Sequence, residues 1–88
     1  MEISQAEKIV KALANRRRIV ILKYLDKNNK ASVTELPGHL NLSFKSTSKH
    51  LSVLKNADIV ASDQVSLVCF YSLARPLNPI VKQLLSIV

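Results

Sequence analysis

The side chains best equipped for chemistry crowd into one stretch of the chain. Ser43-Phe44-Lys45-Ser46-Thr47-Ser48-Lys49-His50-Leu51-Ser52 holds two cations, a histidine and five hydroxyls, with no carboxylate. At about 100° per residue, a helix over residues 44–56 stacks Thr47, Leu51 and Leu54 on one side. Lys45, Ser48, Lys49, Ser52 and Asn56 fall on the opposite side, and Ser46 and His50 lie between. Lysine reaches phosphate or guanine, while Ser and Asn hydrogen-bond to base edges or phosphate, so this face suits the major groove of double-stranded DNA. Taken alone, it is also the solvated side of any amphipathic helix.

A second basic run, Arg16-Arg17-Arg18, sits where another helix begins. Cations there oppose the helix macrodipole, at a cost of a few tenths of a kcal/mol each. Nearby phosphate would relieve that misfit; a solvated charge cluster is the alternative. The net charge is +7, and it is unevenly placed. Residues 1–55 carry eleven basic and four acidic side chains, which gives +7, and residues 56–88 carry two of each, which gives zero. A field concentrated in this way points to a polyanion, nucleic acid before membrane surface.

Other chemistries find little support. His39, His50 and Cys69 are the only soft ligands and lie far apart, whereas a zinc site wants about four at close spacing, so no metal is expected. There is no nucleophile–base pair, carboxylate pair or glycine-rich loop, so neither an enzyme nor a cofactor is expected. Cys69, between Val68 and Phe70, reads as a core strand residue. A lone cysteine forms no intrachain disulfide, and the cytoplasm is the expected compartment. Met1-Glu2-Ile3-Ser4-Gln5 does not open a signal peptide, and no apolar run approaches the roughly 20 residues that span a bilayer.

The elements that must hold these residues follow from caps and periodicity. Ser4 with Glu7 reads as a capping box for a first helix, along which Ile3, Ala6, Ile9, Val10 and Leu13 share a face. Asn15 caps a second helix, with Ile19, Val20, Leu22, Tyr24 and Leu25 on its buried side, and Asp26–Asn29 ends it. Ser32 with Glu35 opens a short third helix that contains Pro37 and Gly38. Asn41-Leu42-Ser43 forms a tight turn, and Ser43 caps the fourth helix. Beyond Asp58 the composition turns to Val, Ile, Phe and Tyr: Ile59–Ser62 and Val65–Leu73 read as strands, with Asp63-Gln64 at the hairpin tip. Pro79 starts a last helix. The order α-α-α-α-β-β-α, mainly helical with a small β-hairpin, predicts a winged helix-turn-helix in a single domain over residues 1–88.

In the last helix, Leu77, Ile80, Val81, Leu84, Leu85, Ile87 and Val88 cover nearly half the wheel. With 48% hydrophobic residues in so short a chain, part of that arc needs cover from a partner. A C₂ homodimer is the commonest solution, and it would set two reading helices about 34–36 Å apart. A winged-helix module that docks protein and does not bind DNA is the alternative use of the same arc.

Lys11-Ala12-Leu13-Ala14-Asn15-Arg16-Arg17-Arg18-Ile19-Val20-Ile21-Leu22 resembles the K-A-L-A-x-x-x-R-x-x-I-L opening of the ArsR family of repressors. Val33-Thr34-Glu35-Leu36 resembles the start of its third helix, and Ser43 through Val60, with Ser46 through Lys55, resembles its S-x-S-x-H-L-x-x-L recognition helix. The resemblance spans roughly residues 8–73. It implies a dimeric winged helix that binds operator DNA, usually as a repressor released by a signal. It also implies an interface built from the first helix, at Ile3, and the last, at Ile80, Val81, Leu84, Leu85 and Val88. Lys45, Ser46, Ser48, Lys49 and His50 match the family's DNA-reading stretch; Arg16, Arg17 and Ser52 join them on charge and wheel position. The chain departs from the pattern in three places. The cysteine pair or the His and acidic clusters of the metal-sensing members are missing. Nothing basic lies between Asn56 and Ala74, so binding is expected to rest on the two helices and not on the wing. Asp58 stands in the usual glycine position after the recognition helix, and Asp tolerates a left-handed backbone better than most residues.

Overall fold

A computed structural model describes residues 1–88. Helix α1 (Ile3–Leu13) begins two residues earlier than a Ser4 cap would place it. The Ala6 amide already bonds to the Glu2 carbonyl at 2.9 Å, so the ladder runs past Ser4 and leaves its hydroxyl no orphan amide to cap. Helix α2 (Arg16–Asn28) starts as expected: Asn15 Oδ1 accepts from the Arg17 and Arg18 amides at 3.0 and 3.2 Å. Its buried stripe is Ile21, Leu22 and Leu25; Ile19 and Tyr24 are half-buried, and Val20 is exposed.

Strand β1 (Lys30–Ser32) follows the turn expected at Asp26–Asn29, in a stretch where the sequence predicts no strand. Three residues carry no readable alternation, and the strand forms because a long-range partner is present. The Ser32–Glu35 capping box closes reciprocally, Glu35 N to Ser32 Oγ at 3.1 Å and Ser32 N to Glu35 Oε1 at 2.8 Å. It precedes the five-residue helix α3 (Leu36–Leu40), with Pro37 in the first turn and Asn41 closing it in the left-handed region. Tyr24 of α2 donates to the other Glu35 oxygen at 2.9 Å and ties the two helices together.

Helix α4 (Phe44–Asn56) is capped by Ser43, whose Oγ accepts from the Ser46 amide at 3.0 Å. Strands β2 (Val60–Val65) and β3 (Val68–Leu73) form the wing, and the antiparallel sheet runs β1-β3-β2. The hairpin tip is Ser66-Leu67, not Asp63-Gln64. Asp63 opposes Phe70 within the ladder, and the last pair is Val65 with Val68. Two charged or polar residues are tolerated there because β2 is an edge strand with one row of side chains in water. Helix α5 (Pro79–Ile87) is capped by Asn78, which accepts from the Ile80 amide at 2.9 Å.

The single glycine plays no part in the positive-φ positions, which fall to Asn29, Asn41, Asp58 and Ser66. Asp58 does adopt the left-handed conformation, at φ 58°. Every helix except α3 brings a long stripe to one core, where Ile9, Ile21, Leu22, Leu25, Leu36, Leu51, Leu54, Ile59 and Val81 are almost wholly covered.

Candidate nucleic-acid interface

The turn before α4 is held from both ends. Leu42 N donates to Pro37 O at 3.2 Å, and the buried Thr47 hydroxyl donates back to Ser43 O at 2.9 Å. Beneath it, Leu36, Leu51 and Leu54 lock α3 and α4 onto the core. Each buried leucine contributes about 1.5–3 kcal/mol from area removed from water. With that face committed inward, the other side of α4 must stand in solvent.

Lys45, Lys49 and Ser52 are exposed there, and Ser46, Ser48 and His50 are half-exposed at its edges. Arg16 and Arg17 are exposed at the start of α2. Together with Val20, Leu40 and Leu42 they line an open cleft of about 370 Å³, so the α2 N-terminus and the turn before α4 border one surface. The charges of Arg18, Arg17 and Lys49 are felt at His50. Burial first, and these cations after it, push the imidazole below its ordinary range, so it is neutral at neutral pH. The one ion pair of the chain joins Lys11 to Glu7 at 3.8 Å. Arg16, Arg17, Lys45 and Lys49 therefore present an unneutralised positive surface, the electrostatic footprint a phosphate backbone requires.

Three residues of this surface escaped the sequence pattern. Phe44, the first residue of α4, is exposed among polar neighbours. Lys55 donates to Ser62 Oγ at 2.6 Å and ties the end of α4 to the wing. Arg18 turns inward: its Nε donates to Ala12 O at 2.6 Å, and its Nη1 lies 3.4 Å from His50 Nδ1. A signal for Arg18 was present, because Ile21, Leu22 and Leu25 follow it at i+3, i+4 and i+7 and place it on the buried stripe. The wing tip is apolar, with Leu67 95% exposed.

The expected interface residues divide. Ile3 is 89% exposed and Val88 50% exposed, and Ile80, Leu84 and Leu85 are half-buried. Val81 is a correction: at 0% exposure it is covered by its own chain and has no surface to give a partner. It sits on the side of α5 that faces the core, so a wheel that counts apolar residues without knowing the core direction cannot separate it from its neighbours. Helices α1 and α5 pack together, which brings their exposed apolar residues onto neighbouring elements. His39, His50 and Cys69 stand on α3, α4 and β3, and within the one chain no three His, Cys, Asp or Glu side chains converge. No helix is long and apolar enough to cross a membrane.

Comparison with known proteins agrees with this geometry. Residues 15–62, from the cap of α2 to the start of the wing, match the family described as bacterial regulatory protein, arsR family. The transcriptional activator HlyU of Vibrio cholerae serotype O1 is 38% identical over 76 residues, covering 84% of this chain and 69% of that protein. A structure of HlyU from Vibrio cholerae N16961 superposes with a TM-score of 0.82 at 34% identity, covering 99% of this chain and 92% of that one. The homodimeric winged helix-turn-helix DNA-binding domain of Mb0332 from Mycobacterium bovis superposes with a TM-score of 0.82 at 25% identity, covering 97% and 75%.

Proposed function

From the premise that this chain belongs to the ArsR family of bacterial regulatory proteins, a family of transcriptional regulators and not of enzymes, we propose that it binds specific double-stranded DNA as a homodimer. Helix α4 enters the major groove. The carrying observation is the cluster of exposed Arg16, Arg17, Lys45 and Lys49 around the helix-turn-helix, none of them in an ion pair. Lys45 and Lys49 meet phosphate or guanine, Ser46, Ser48 and Ser52 offer hydroxyls to base edges, and His50 offers a ring nitrogen. Arg16 and Arg17 flank them as phosphate contacts.

The dimer uses Ile3 of α1 with Ile80, Leu84, Leu85 and Val88 of α5, and leaves Val81 to the core. The homodimeric state named for the Mycobacterium bovis domain supports this assembly. Symmetry would then place two copies of α4 about one DNA turn, 34–36 Å, apart. Its place of work is the cytoplasm, where bacterial promoters lie. Repression by occupying a promoter is the proposed regulatory sign. Activation is the second reading, favoured by the name of the Vibrio cholerae relative.

Fluorescence anisotropy with duplex DNA of random sequence, at several salt concentrations, tests the core of the proposal. Binding that falls steeply with salt is expected and licenses selection of an operator from genomic fragments, followed by a promoter–reporter fusion to fix the sign. No binding even at low salt overturns the DNA reading and leaves a protein-docking winged helix.

A further inference from the structure

Building on the DNA-binding reading of α4, we infer that Arg18 is a positioning residue: its guanidinium holds the His50 imidazole in the tautomer that carries its proton on Nε2, and so makes His50 a fixed hydrogen-bond donor on the DNA face. Arg16 and Arg17, its neighbours in the basic run, are exposed; Arg18 is half-buried. Its Nε donates to Ala12 O at 2.6 Å and its Nη2 to Lys11 O at 3.5 Å. Both lie in the last turn of α1, where helix carbonyls run short of partners; Lys11 O also accepts from the Ala14 amide at 3.3 Å. Two anchors on one rigid planar group leave the remaining fork little freedom, and it points at α4, with Nη1 3.4 Å from His50 Nδ1.

The chemistry of that contact is one-sided. A guanidinium has donors only, so Nδ1 can meet it only with its lone pair. In a neutral imidazole the proton must then reside on Nε2. The ring is neutral because burial, and after it the charges of Arg18 and Arg17 on α2 and Lys49 on α4 itself, disfavour the imidazolium. Nε2 makes no hydrogen bond within the chain, and no buried side-chain nitrogen or oxygen is left without a partner, so the Nε2–H is open to solvent. His50 thus offers a neutral, directed donor from the edge of the reading face. An acceptor on DNA, a phosphate oxygen or a base-edge oxygen or nitrogen, is what such a donor takes.

Long-range ¹H–¹⁵N spectra of the histidine side chains read the tautomer directly. In the native protein, His50 should show an unprotonated Nδ1 and a protonated Nε2. Arg18→Met should give a mixture of tautomers and move the His50 titration midpoint up, because one of three nearby cations is gone. Its DNA affinity should fall about 3–10-fold, the worth of roughly one hydrogen bond. His50→Gln keeps a donor near the Nε2 position and has no second ring nitrogen to orient. Removing Arg18 in that background should therefore cost no further affinity. A fall equal on random and selected duplexes assigns the acceptor to phosphate; one confined to the selected duplex assigns it to a base edge.

A native His50 protonated on Nδ1 overturns the inference, and this measurement needs no variant, so a poorly folding Arg18→Met would not spare it. Additive losses in the double variant, with a salt slope lower by about one per protomer, would also overturn it, since Arg18 would then be touching phosphate itself. A native protein with the expected tautomer that binds no duplex would instead refute the DNA reading and leave the Arg18–His50 clamp standing.

Discussion

The double variant Lys45→Ala/Lys49→Ala separates a DNA-reading face from a merely solvated one. Both lysines are exposed, and neither forms an ion pair or hydrogen bond in the chain, so their removal should leave the fold intact. In the proposed homodimer, Arg16, Arg17, Lys45 and Lys49 from each protomer would supply about eight phosphate contacts, and counterion release at about 0.9 per contact would give a slope of log K against log salt near −7. Raising salt from about 50 to about 200 mM should then weaken native binding about 20,000-fold. The variant keeps about four contacts, a slope near −3.6, and a loss of only about 150-fold over the same range. Anisotropy titrations at four or more salt concentrations measure both slopes, and circular dichroism confirms that the helices remain. Lys82→Ala, an exposed side chain of α5 in the stretch with no net charge, serves as the control and should leave the slope at its native value. Equal slopes for native protein and double variant would refute the placement of DNA against α4. A slope reduced as much by Lys82→Ala would mean that net charge, and not a located surface, governs binding.

The remaining expectations concern assembly, stability and pH. Ile3→Glu changes a side chain that is 89% exposed, so the monomer should fold normally while sedimentation shifts from dimer to monomer; an unchanged dimer would remove α1 from the interface. Leu51→Ala empties a fully buried position under α4 and should cost about 2–5 kcal/mol in urea unfolding, whereas a loss below about 1 kcal/mol would mean that the helix is not anchored there. His50 has a folded value below its unfolded one, so the unfolded chain binds more protons between the two. Stability is therefore full above the ordinary imidazole range and is lost as pH falls through the lowered value. The melting temperature of native protein should drop over that window more than that of His50→Gln; parallel curves would contradict the burial and charge environment assigned to the ring.

How much of this was legible in the chain depends on where each determinant lies. Asn15, Ser43 and Asn78 cap their helices through amides two or three residues away, and Thr47, Leu51 and Leu54 share a face by periodicity, so local sequence was sufficient. Ser4 had the same chemistry and failed, because Glu2 was already a competent start for the ladder and a cap is needed only at the true end. Strand β1 exists by virtue of β3, some forty residues onward, and nothing in Lys30-Ala31-Ser32 announces that partner. The hairpin tip moved to Ser66-Leu67 for the same reason: pairing of Val65 with Val68 sets the register, and that pairing outweighs the turn preference of Asp63.

The candidate site repeats this division. The cations were legible because solvent exposure is what a charged residue at such a position does by default. Arg18 departs from that default, and its departure is written in the spacing to Ile21, Leu22 and Leu25, which carries it under the surface toward the end of α1 and the side of α4. Val81 departs in the opposite sense, as an apolar residue drawn into the core from an arc that otherwise remains partly open. In α5 the wheel gave the apolar arc and could not say which way it points; in α2 the expected buried side took in the exposed Val20 and left out the fully buried Ile21, the residue three after Arg18. Orientation is a tertiary quantity here, set by the shared core of α1, α2, α4 and α5. It is this same core that brings the start of α2 beside α4 and makes one positive surface out of two separate basic runs.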